Sequence, residues 1–82
     1  MLPDKKLIEP RFKESIERYV NHKIPTGSFL EAVLCNNLKE SIGRADFLSL
    51  DNLPHIVAYL YNDVPMECWG SPDKVNKWLE ND

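Results

Sequence analysis

The run Pro25-Thr26-Gly27-Ser28-Phe29-Leu30-Glu31-Ala32-Val33-Leu34-Cys35, continued by Leu38, Ile42 and Gly43, reads as a single helix near the centre of the chain. Its apolar positions (Phe29, Leu30, Ala32, Val33, Leu34, Cys35, Leu38, Ile42) cover most of the circumference in the first two turns and one side thereafter. That pattern predicts a buried first half and an amphipathic second half. Pro25 and Gly27 break whatever precedes it. Ser28 and Glu31 stand at the Ser-x-x-Glu spacing of a capping box, in which each side chain satisfies a free backbone N–H at the helix start. Gly43 is the natural C-cap.

Helical punctuation extends on both sides of this run. Upstream, Pro10 sits where a first-turn proline belongs, and Phe12, Ile16, Tyr19 and Val20 form one apolar face of a helix reaching about His22. Residues 1–9 read as an extended N-terminal arm. Downstream, Arg44 to Leu50 reads as a turn and a short helix. Asp51 or Asn52 then caps a longer helix with Pro54 in its first turn and Leu53, Ile56, Val57, Leu60 and Tyr61 inward, ending near Asp63. Ser71-Pro72-Asp73 supplies an N-cap, a first-position proline and a first-turn acid for a final helix carrying Val75, Trp78 and Leu79. With no alternating run, repeat or low-complexity stretch, the expected fold is all-α: a compact single-domain bundle of four or five short helices over residues 10–82.

At 82 residues, 43% hydrophobic and 28% charged, the chain has room for one small core and excludes the large enzyme folds. No stretch approaches the ~18 apolar residues of a membrane span, and the N-terminus lacks a signal peptide's apolar core. The expectation is a soluble protein of the cytoplasm. Cys35 and Cys68 stand apart, without the spacing of a metal site or disulfide framework, and read as reduced packing thiols; no metal or cofactor is expected.

The net charge is −3, unevenly spread. Residues 1–23 hold six basic and four acidic groups, residues 24–82 four basic and nine acidic, and no Lys or Arg lies between Arg44 and Lys74. Such a surface repels a phosphate backbone, so nucleic acid is an unlikely partner. The basic first helix and acidic remainder make head-to-tail pairing into a homo-oligomer plausible.

The catalytic inventory is thin. His22 sits where an imidazole complements a helix C-terminus, His55 has no partner placed by any motif, and Ser28 and Ser71 lack the surroundings of a nucleophile elbow. These observations point away from an enzyme. A better lead is that Thr26-Gly27-Ser28 and Gly70-Ser71-Pro72 each place a glycine and a hydroxyl at a helix start, where free N–H groups can hold a phosphate or carboxylate. Trp69 adjoins one of them as a stacking surface, and Arg44, Lys39, Arg18 and His22 are the charges that would complete a pocket. Ordinary capped helices have the same appearance.

Ile24 to Leu34, Asn37-Leu38, Gly43-Arg44-Ala45-Asp46 and Trp69 to Val75 with Trp78 together resemble a group of small bacteriophage and prophage proteins of unassigned function. The resemblance spans roughly residues 11–80 and is most specific in the Pro-x-Gly-Ser-Phe-Leu and Trp-Gly-Ser-Pro segments. It implies a viral accessory protein in a bacterial host cytoplasm. Three roles then compete. The first is a non-catalytic binder that inhibits a host defence or metabolic protein through exposed groups such as Trp69, Tyr59 and Asp63. The second is a sponge for a nucleotide or other phosphorylated signal at Thr26, Gly27, Ser28, Arg44, Trp69, Gly70 and Ser71. The third, a transcriptional regulator, has the acidic composition against it.

Overall fold

Pro10 opens the first helix because its fixed φ suits a first turn and its missing N–H is one the turn does not use. In the computed structural model, which describes residues 3–80, that helix, α1, runs Pro10–His22. It is followed by α2 (Ser28–Leu34), α3 (Leu38–Arg44), α4 (Phe47–Asp63) and α5 (Pro72–Glu80), with short 3-10 turns at Lys5–Leu7 and Met66–Cys68. The fold is all-α, with no strand among the described residues, and no described helix is long and apolar enough to cross a membrane. The radius of gyration, 11.7 Å, is that of a close-packed domain of this length.

One core joins the ends of the chain to its middle. Ile8, Phe12, Ile16 and Tyr19 meet Phe29, Leu30, Val33 and Leu34 of α2, Ile56 and Leu60 of α4, and Cys68 and Val75. Directional bonds fix the arrangement around Tyr19. Its hydroxyl donates to the Cys68 carbonyl at 2.7 Å, while its own carbonyl accepts from the Trp78 indole N–H at 3.1 Å. Lys23 donates to the Trp78 carbonyl and lies 4.1 Å from the centre of that indole ring. The Gly70 N–H, on a left-handed backbone with φ 117°, closes on the last carbonyl of α2, Leu34, at 2.7 Å.

The structure corrects four local expectations. The helix expected over residues 28–42 is two helices. Asn36 turns left-handed (φ 59°), the Asn37 N–H bonds back to the Ala32 carbonyl to end α2, and the Asn37 side chain accepts from the Glu40 N–H to start α3. Gly43 therefore lies inside α3, and Ala45 is the cap. The capping box does not form: Gly27 is the N-cap of α2 and Ser28 is already helical. Third, α4 begins at Phe47 rather than near residue 52, because the Asp46 carboxylate accepts from the Ser49 N–H at 2.7 Å. Pro54 lies exposed within that helix, and Tyr61, expected inward, is also exposed.

The fourth correction concerns the arm. Met1 and Leu2 lie outside the described residues, but residues 3–9 are held against α4 and include a 3-10 turn. Buried Asn52 accepts from the Glu9 N–H and donates to the Leu7 carbonyl, both at 3.0 Å, and Ile8 enters the core. Lys5 pairs with Asp63 at 3.1 Å. The His55 Nδ1 meets the Asp4 carbonyl at 2.9 Å; a carbonyl only accepts, so the proton sits on Nδ1.

Candidate binding surfaces

The start of α2 faces an open hollow of about 430 Å³ that also takes in Arg11 and Arg18 of α1 and Arg44 of α3. Arg44 is positioned by Glu40, one turn back, and by the Ser28 carbonyl, to which its Nη1 donates at 3.2 Å. Arg11 bonds Glu9 and lies 4.3 Å from the Phe12 ring centre. Gly27 and Ser28 are exposed here, while the Thr26 hydroxyl turns to the Gly27 carbonyl. Lys39 and His22 do not line this hollow. Asp46 does, its carboxyl held below the usual range first by the Ser49 hydrogen bonds and then by Arg11. Much of the positive charge is thus already answered by Glu9, Glu40 and Asp46.

The second glycine-hydroxyl segment lies at the opposite end of α2, so the structure does not bring the two together. Ser71 acts as a cap, its hydroxyl accepting from the Lys74 N–H at 3.2 Å. Trp69 and Gly70 instead form the wall of a separate hollow of about 480 Å³ with Val57, Tyr61, Met66 and Lys74. Tyr61 stands edge-on to Trp69, ring centres 6.2 Å apart. The indole N–H of Trp69 is buried and has no acceptor.

Of the residues expected to form an interaction surface, Asp63 is exposed but engaged by Lys5, and Trp69 is half-buried. Tyr59 requires correction: it is buried, and burial, with Glu17 and Asp63 nearby, pushes its hydroxyl pKa up. Five of the exposed apolar groups lie elsewhere. Leu38 (71% exposed) and Ile42 stand one turn apart on α3, and Phe47 (86% exposed), Leu48 and Leu50 follow at the start of α4. Helical periodicity could not find this face, because it assigns apolar residues inward; the signal was the Asn36-Asn37 pair, which splits the helix and turns Leu38 and Ile42 away from the core.

Among the described residues no group of three or more potential ligands could hold a metal ion. Both thiols are free; burial raises the Cys35 pKa and pushes that of Cys68 up to about 11, so neither is a poised nucleophile. Compared with protein-family models, curated proteins and solved structures, the chain finds no match in any of the three.

Proposed function

We propose that the protein is a non-catalytic binding protein of the phage accessory kind, which acts in a bacterial cytoplasm by docking on and inhibiting a host protein. The observation that carries this reading is the apolar face of α3 and the first turn of α4. Leu38, Ile42, Phe47, Leu48 and Leu50 are between 45% and 86% exposed to water. So many exposed apolar groups close together in the chain are more than singly scattered surface residues and favour an interaction site. The flanking charges, Lys39, Glu40, Arg44 and Asp51, provide a polar rim. The test is affinity capture from bacterial lysate on wild type and on Phe47→Asp. The expected result is a stoichiometric partner retained by wild type and lost by the variant while its circular dichroism stays unchanged. Identical retention by both, or sedimentation showing that the face is consumed in a homo-oligomer, would remove the reading.

A second reading, sequestration of a phosphorylated small molecule, is favoured by the approach of three arginines to one hollow with Ser28. A nucleotide at 100 times its dissociation constant stabilises by about 2.7 kcal/mol, which raises the melting point of so small a domain by about ten degrees. Arg18→Gln abolishes that rise if the hollow is the site. A flat response across mono-, di- and cyclic nucleotides and sugar phosphates would discard it.

A further inference from the structure

The hollow between α4 and the start of α5 joins three features that the apolar face of α3 and α4 leaves unexplained. The first is the Trp69 indole N–H, buried without an acceptor, an arrangement that native proteins seldom leave uncompensated. The second is a rim of exposed soft groups: Tyr61 is 68% exposed and Met66 75% exposed, and both line the hollow with the half-buried Trp69. The third is Lys74. Its ammonium passes close over Gly70, 3.6 Å from where a β-carbon would stand there, and it makes no ion pair among the described residues. The volume, about 480 Å³, suits a small molecule rather than a macromolecular segment.

We infer that this hollow binds a small planar aromatic carboxylate, its ring seated against Tyr61, Met66 and Trp69 and its carboxylate held by Lys74. Aromatic rings and a thioether favour the face or edge of a flat apolar body, and one lysine matches one negative charge. The Trp69 N–H, left without an acceptor, supplies a hydrogen bond that the ligand carboxylate completes. Because that atom is closed to solvent, binding requires a neighbouring side chain to turn aside. Tyr61, packed edge-on to that indole at 6.2 Å and largely in water, is the side chain that turns. The Gly70 backbone, left-handed at φ 117°, keeps the floor beneath Lys74 free of a side chain.

The two tryptophans make the test internal. Trp78 donates its indole N–H to the Tyr19 carbonyl, so its indole resonance in a nitrogen-15 correlation spectrum reports the fold, while that of Trp69 reports the hollow. Phenylacetate, used as the probe, should move the Trp69 indole signal downfield and saturably with a dissociation constant of about 1 mM or tighter, leaving Trp78 in place. Acetate and phenylacetamide should bind about tenfold more weakly or not at all. Lys74→Met should weaken phenylacetate about tenfold while leaving phenylacetamide unchanged, and Tyr61→Ala should weaken both. A Trp69 signal that stays still at about 10 mM phenylacetate, responds equally to acetate, or ignores the Lys74 substitution overturns the assignment.

Discussion

The Tyr19 region and the α3 region use similar residues for opposite ends. Around Tyr19 the apolar groups are buried and their polar atoms are matched: hydroxyl to the Cys68 carbonyl, carbonyl to the Trp78 indole, and Lys23 laid over that indole. On α3 the only buried residue is Ser41, whose hydroxyl bonds back to the Asn37 carbonyl, while Leu38 and Ile42 face water. Apolar content alone therefore does not say where stability lies. What separates the two regions is whether sequence-distant elements cover the apolar side: α1, the segment at Cys68 and α5 converge on Tyr19, whereas α3 packs chiefly on its neighbour α2.

The contrast is broken most severely by Tyr19→Ala, which opens a cavity in the core and should cost about 3–5 kcal/mol, seen as a large drop in the urea midpoint. If the loss were below about 1 kcal/mol, the Tyr19 region would not be the stabilising one. Next comes Asn52→Leu. It strands the Glu9 N–H and the Leu7 carbonyl, should cost about 2 kcal/mol, and should open the arm to trypsin at Lys5 and Lys6 while leaving α3 as it was.

The alkaline limb of the stability curve sharpens the comparison further. The Cys68 thiol is raised by burial first and Glu67 second, from 9.0 to about 11. A raised pKa means that the folded state favours the neutral thiol. Its contribution is full below pH 9 and is lost as the pH rises from there toward 11. Cys68→Ala should make the fall across pH 9–11 shallower in urea titrations, with the raised Cys35 and Tyr59 supplying what remains. The smallest stability effect belongs to Phe47→Asp, which should stay within about 0.5 kcal/mol of wild type although it abolishes partner capture.

Legible in the sequence is what short-range chemistry controls. Pro10 and Ser71-Pro72 mark their helix starts because a missing N–H and a hydroxyl act within a single turn. The break after Leu34 was not legible in the same way. Asn36 adopts a left-handed backbone that most residues avoid and asparagine tolerates, but the apolar period runs on through Leu38 and Ile42 and masks it. Pro54 misled in the opposite direction: it looks like a first-turn proline, yet the cap that counts is Asp46, eight residues earlier. At the candidate sites, the glycine-hydroxyl segments were visible as local patterns. That they sit at opposite ends of α2, that Tyr59 is buried, and that Trp69 lacks an acceptor depend on contacts between residues far apart in the chain.

The bond from Trp78 back to Tyr19 also sets an order of events during synthesis. As the chain leaves the ribosome from its N-terminus, α1 cannot complete its surroundings until α5 has emerged. The first helix of the middle pair waits as well, since the last carbonyl of α2, Leu34, accepts from the Gly70 N–H and its apolar residues share their core with Ile56, Leu60 and Val75. The core therefore closes only once residues from both halves of the chain are present together.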